Sequence, residues 1–161
     1  MDLPKRKQIR LPEYDYSAPG AYFVTICTHE RRCILSEIAV GAATSRPPEL
    51  HLTALGEIVD LAIRNISSIY PSISVDNYVI MPNHVHLILR ICDEENGRQI
   101  AAPTVSSAIG QMKRWASIQA KTALWQKSFY EHVICGEADY RQIWDYIDAN
   151  PAKWTEDRYY G

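Results

Sequence analysis

The 161-residue sequence has no apolar run near the roughly 20 residues that a membrane-spanning helix requires. It has no CxxC spacing either. Cys27, Cys33, Cys92 and Cys135 stand isolated, so neither a zinc ribbon nor a disulfide framework is indicated, and buried thiols are expected. A glycine-rich phosphate loop is missing, so no organic cofactor is implied, and there are no internal repeats. The opening MDLPKRKQIRLPEYDY is basic but has no apolar core behind it, which argues against a signal peptide and makes the cytoplasm the expected compartment. Charge of one sign is also lacking. The formal net charge of -2 announces no nucleic-acid partner. What remains is 47% hydrophobic and 22% charged, proportions of a globular chain rather than a disordered one. The length favours one domain over residues 1–161, and a domain near that size buries roughly 70% of its unfolded surface.

Residues 1–19 hold three prolines and no helical period, so they read as an extended basic arm. AYFVTICT after Gly20 reads as a first strand. GAATSRPPEL at 41–50 reads as a loop. From Leu52 through Ile66 apolar residues recur at helical spacing, with Thr53 as N-cap and Pro71 closing the segment. ISVDNYVI at 73–80 and HVHLILRI at 84–91 read as strands separated by Met81-Pro82-Asn83. Thr104 caps a second expected helix with Val105, Ala108, Ile109, Met112 and Ala116 on one face. WQKSFYEHVI ends in a fourth strand. A third helix is expected over about 137–149, with Tyr140, Ile143, Trp144 and Ile147 as its stripe and Pro151 ending it at Asn150. The order β-α-β-β-α-β-α predicts an α+β, ferredoxin-like antiparallel sheet with helices on one face and an added C-terminal helix.

His84-Val85-His86 lies inside an apolar strand. Alternation puts His84, His86, Ile88 and Arg90 on one face and Val85, Leu87, Leu89 and Ile91 on the other. The second set suits packing against two amphipathic helices. The first sets two imidazoles side by side, a metal half-site or a pair of ordinary partly buried histidines, on a face that little remaining sequence covers. Tyr146 and Asn150 are four apart and share a helical face. They fit a nucleophile beside a metal ligand, or a packing tyrosine beside a helix-terminal amide. Basic residues cluster locally: Lys5, Arg6, Lys7 and Arg10 in the arm, Arg31-Arg32, and Lys113-Arg114.

VIMPNHVHLIL, WQKSFYEHVI and DYRQIWDYIDANP, in this order, resemble the REP-associated tyrosine transposases, which belong to the single-tyrosine HUH transposases of the IS200-like type. The similarity runs from LPEYDYSAPGAYFVTICT to NPAKW, nearly the whole chain. It implies a ferredoxin-like fold whose C-terminal helix carries the tyrosine, metal ligands at His84, His86 and Asn150, and a nucleophile at Tyr146. The better-known insertion-sequence members carry Gln at the position of Asn150, and Asn83 takes no ligand role. The resemblance implies a divalent metal, Mg²⁺ or Mn²⁺, and cleavage and rejoining of single-stranded DNA beside palindromic hairpins through a 5′-phosphotyrosine. Free tyrosine ionises near pH 10, so its phenol needs such help at neutral pH.

Candidate DNA contacts are Lys5, Arg6, Lys7, Arg10, Lys113 and Arg114, with Trp115, Trp125, Tyr159 and Tyr160 as stacking aromatics. The expected partner is single-stranded or hairpin DNA, with no membrane, the protein acting as monomer or homodimer. Tyr130, next to Glu131 and His132, is a rival tyrosine. Two other readings stand beside this one. A hairpin-DNA-binding protein could keep the fold without the chemistry. A histidine-triad nucleotide hydrolase would need a third histidine where Ile88 stands.

Overall fold

The computed structural model describes residues 20–39, 49–92, 104–157 and 159. The arm residues Lys5, Arg6, Lys7 and Arg10, most of the 41–50 loop, and Tyr160 lie outside them. Four strands form the main antiparallel sheet: β1 (Gly20–Cys27), β4 (Ile73–Ile80), β5 (His84–Ile91) and β6 (Tyr130–Val133), in spatial order β4-β5-β1-β6. That order, with helices between β1 and β4 and between β5 and β6, is the ferredoxin-like topology expected. A second antiparallel pair, β2 (Ser36–Ala39) with β3 (Glu49–Leu52), was not anticipated. Glu49 and Leu50 belong to β3 rather than to the loop, and Leu52 to β3 rather than to the helix. Leu52 fits both periods, because it sits two residues from Leu50 and three from Leu55.

The helix therefore begins two residues after Leu52, directly behind the expected cap Thr53. Thr53 caps α1 (Ala54–Arg64), accepting from the Gly56 amide at 3.1 Å. The apolar stripe holds as expected, with Val59, Ala62, Ile63 and Ile66 buried, but it spans a break at Asn65 into α2 (Ile66–Ile69). α3 (Val105–Ala120) is capped by Thr104 through the Ser107 amide and buries the five residues foreseen. These helices cover one sheet face, meeting Tyr22, Val24, Ile26, Val85, Leu87 and Leu89.

The opposite face is covered too, contrary to expectation. α4 (Gly136–Ala149) lays Tyr140, Ile143, Trp144 and Ile147 against Ala21, Phe23, Val79 and Ile88. A β-bulge at Asp76 interrupts the β4–β5 register and aims its carboxylate at this helix. Asp76 accepts from Tyr140 Oη at 2.7 Å and from Arg90 Nε at 2.9 Å, and Asn77 donates to Asp148. A bulge bends the strand locally and re-aims a side chain. Here that side chain fastens α4 to the sheet.

Two further expectations need correction. Cys33, Cys92 and Cys135 are exposed and Cys27 half-buried, all four as thiols; they stand in connections or at element ends, where no core forms around them. And α4 does end before Pro151, yet Asn150 keeps right-handed helical angles (φ -57, ψ -45) and leads into a 3-10 turn over Pro151–Glu156. Proline needs no amide partner in a first turn, so the chain tightens instead of leaving.

Gly56 is the close approach in α1. A Cβ there would collide with the Leu35 carbonyl oxygen and press on Leu52. Leu35 O also accepts from Thr53 Oγ1 at 3.0 Å and cannot easily retreat. Gly56→Ala should therefore destabilise the protein by about 1–3 kcal/mol, despite alanine's better helix propensity. Urea unfolding checks this; a variant as stable as the parent contradicts the packing described.

Candidate active site

β1 and β5 lie side by side with Thr25 opposite His86 and Cys27 opposite His84. The two imidazoles therefore emerge together, ring centroids 4.5 Å apart, on the face that α4 covers. Both are buried. Phe23 stacks on His86 at 5.3 Å, and Tyr159 lies 4.5 Å from the His84 ring.

The hydrogen bonds fix the state of His84. Its Nδ1 is 2.8 Å from Asn83 Oδ1, while Asn83 Nδ2 donates to the Tyr159 carbonyl at 2.6 Å. The amide orientation is thus set by a carbonyl, which only accepts. Asn83 Oδ1 must then accept from Nδ1–H, and the His84 lone pair is on Nε2. That nitrogen is buried and makes no hydrogen bond among the described residues. His86 Nδ1 is held by Thr25 Oγ1 at 2.8 Å, an arrangement that turns its Nε2 to the same side of the strand. Asn83 was given no role from sequence. Its side chain selects the tautomer of His84.

α4 brings the other two sequence candidates. Asn150 is buried; its Nδ2 donates to the Tyr146 carbonyl at 3.3 Å, and its Oδ1 has no hydrogen bond among the described residues. Tyr146 is 42% exposed, its ring 5.3 Å from that of His86 and edge-on to Phe23 at 6.2 Å. His84, His86, Tyr146 and Asn150 are therefore brought together on one chain.

The structure adds Asp157. The 3-10 turn after Asn150 returns its carboxylate to 3.8 Å from His84 Nε2, and ligand atoms of His84, His86 and Asp157 lie within 4.8 Å of one another. Only the Pro151-initiated turn hinted at this return in the sequence. Two imidazoles, an amide oxygen and a carboxylate are a donor set for a divalent cation of the Mn²⁺ or Mg²⁺ kind. The orphaned Nε2 and Oδ1 atoms fit such an ion, since buried polar atoms without partners are costly otherwise.

Electrostatics point the same way. Burial pushes the His84 pKa down to about 4, against the opposing pull of Asp157 and the nearby Asn150 carboxamide, with the Arg31 cation adding to the fall. A neutral imidazole is the ligand form. Tyr146, Asn150 and Asp157 also border a cleft of about 540 Å³ whose rim carries Asp145, Lys153 and Glu156.

Other candidates lie elsewhere. Lys113 is half-buried, and its ammonium donates to the carbonyls of Gln126 and Ser128 at 2.9 Å each; burial lowers its pKa. Arg114 is exposed. Trp115, on α3, and Trp125 are partly buried and pack against the main core. Tyr130 is exposed on the imidazole face, 6.4 Å from Phe23.

No family model matches the chain. A protein of Haemophilus influenzae, itself uncharacterized, is 32% identical over 174 aligned residues, covering 96% of this chain and 93% of that one. The chain belongs to that protein's family. Among solved structures, a REP-associated tyrosine transposase bound to a REP hairpin is similar at TM-score 0.63 and 24% identity, over 89% of this chain and 74% of that one. The fold is shared with that transposase. Among the described residues no helix is long and apolar enough to cross a membrane.

His84 gives a pH test in metal-free protein. Its pKa is about 4 in the folded protein, against 6.5 for an ordinary histidine. Between those values the unfolded chain binds more protons, so stability is full above the upper one and declines as pH falls toward the lower. The slope should reach at most roughly 1.4 kcal/mol per pH unit. Urea midpoints in EDTA should show a shallower decline in His84→Gln; equal slopes in both proteins contradict the assignment.

Proposed function

We propose that this protein is a transposase-like DNA endonuclease and strand transferase. It cleaves single-stranded DNA beside a palindromic hairpin, with Tyr146 as nucleophile and His84, His86 and Asn150 holding a divalent metal. One observation carries the reading: an exposed phenol sits against a buried imidazole pair, one helical turn from a buried amide oxygen, on a sheet of the fold shared with a hairpin-bound transposase. Asp157 stands where it would join the ligands.

When bound, Mg²⁺ or Mn²⁺ supplies Lewis-acid polarisation of the scissile phosphate. The chain's own residues do the rest. Asn83 keeps the His84 lone pair on Nε2, and Thr25 holds His86. Phe23 and His86 flank the Tyr146 ring and limit its swing, so the phenol is presented rather than searching. Tyr146 Oη attacks phosphorus and loses its proton to solvent. A tyrosyl–phosphate bond forms, the bond from phosphorus to the 3′ oxygen breaks, and that oxygen leaves, taking a proton from solvent to become a 3′ hydroxyl. The phosphodiester energy is retained in the 5′-phosphotyrosine, so a DNA hydroxyl reverses the step without ATP. Tyr146 lies against its own chain's imidazoles, so one chain is enough for this chemistry. A regular duplex restrains the backbone from bending to Tyr146, whereas a single-stranded flank bends.

The test uses a hairpin oligonucleotide with a single-stranded flank. The parent protein should form an SDS-stable covalent adduct in Mn²⁺ and none in EDTA. Tyr146→Phe should form no adduct while its hairpin affinity stays within about twofold, as expected of a change of one exposed oxygen. His86→Ala should also lose the adduct. Adduct formation by Tyr146→Phe but not by Tyr130→Phe would move the nucleophile to Tyr130. Hairpin binding without any adduct would make the protein a binding module, and equal cutting of perfect duplex would remove the hairpin from the reading.

A further inference from the structure

The segment that leaves β1 passes through His29–Arg31 as a 3-10 turn in which Glu30 and Arg31 both take left-handed angles (φ 56 and 54). Neither is glycine or asparagine, so the conformation is strained. Such strain persists only where the surroundings impose it and is concentrated at functional sites. The surroundings are visible. Thr28 is buried, its Oγ1 lies 2.9 Å from the Arg32 carbonyl and 3.1 Å from that of Asn83, and the Leu35 amide donates to Pro82 at 3.0 Å. The turn that sets Asn83 and His84 therefore also sets this loop.

The result is a guanidinium beside the site. Arg31 Cζ lies 5.7 Å from the centroid of Tyr159, whose ring is 4.5 Å from His84. Arg31 is exposed, and among the described residues no carboxylate lies within ion-pair reach of it. Its neighbour Arg32 is neutralised by Glu30 at 3.1 Å. The cleft on the Tyr146 side offers Asp145, Glu156 and Asp157 against a single Lys153, so it repels a phosphate more than it attracts one. The imidazoles and the amide are themselves neutral, so apart from the metal they would hold they bring no charge to counter a phosphodiester. As the phenolate attacks, negative charge grows on the non-bridging oxygens, and a pre-placed forked donor stabilises it.

We propose that Arg31 is a catalytic residue that grips the non-bridging oxygens of the scissile phosphate and stabilises the charge that grows there. This rests on the nuclease reading above.

The experiment measures adduct formation on the hairpin-plus-flank oligonucleotide in Mn²⁺ with the parent, Arg31→Ala and Arg31→Lys. Arg31→Ala should lose about 100- to 1,000-fold in rate, the range for removing one such donor. Its hairpin affinity and thermal midpoint should stay at parent values, because the hairpin stem does not use this phosphate. Arg31→Lys, a point charge without the fork, should fall in between. Guanidinium at low, non-denaturing concentration should restore part of the rate lost in Arg31→Ala and leave the parent unchanged; a merely structural role gives no such rescue. An Arg31→Ala rate close to the parent's, or a loss that guanidinium does not touch, overturns the assignment while the nuclease reading stands. A parent that forms no adduct overturns both.

Discussion

β5 is buried on both faces, and the two faces ask for opposite things. Val85, Leu87, Leu89 and Ile91 face the helices α1 and α3 as ordinary core. His84 and His86, one residue out of phase, are equally shut off from water. Water is the usual partner of an imidazole, so the protein must replace it. It does so on Nδ1 of each ring, with Asn83 and Thr25. Burial without a charge partner on the same scale keeps His84 neutral. The period of two along one strand thus places the His84 imidazole where Asn83 sets its tautomer and burial sets its protonation.

The covering layer follows from the same constraint. An imidazole face left open would hydrate, so something must sit on it. α4 does this with an apolar stripe of its own, held in register by the Asp76 bulge, Tyr140 and Asn77. The bulge is a local defect in the β4–β5 ladder, and its benefit is realised one layer away. Loosening that attachment would move Tyr146 and Asn150 together, because both ride on the same helix.

Much of this was legible in the sequence, because most elements are long enough to show a period. The strands at 73–80 and 84–91, the caps Thr53 and Thr104, and the buried stripe of α3 all appear where patterning puts them. The pairing of His84 with His86, and of Tyr146 with Asn150, needed only the strand and helix repeats. What escaped depends on contacts that no repeat encodes. β2 and β3 are four residues each, too short for a period to stand out. Asn83 matters through the Tyr159 carbonyl, 76 positions away. Asp157 reaches His84 because a 3-10 turn reverses the chain after Asn150, and the identities of its residues do not announce where that turn points. Arg31 was visible as half of a basic pair, but the strained angles that separate it from Arg32 belong to the tertiary structure.

The last step concerns the unequal exposure of Tyr146 and Asn150. A ligand atom must be dehydrated before it binds a metal, whereas a nucleophile must be reached by a polymer. Residues four apart on an α-helix differ by about 40° in direction and about 6 Å in height. That is enough for one to face the sheet while the other edges into solvent. The helix end strengthens the difference. Asn150 sits where α4 tightens into the Pro151 turn, and the turn closes over it, while Tyr146 one turn earlier stays open beside the cleft. The helix terminus therefore sharpens what a single α-helical repeat allows, setting a dry amide and a wet phenol beside the same imidazole pair.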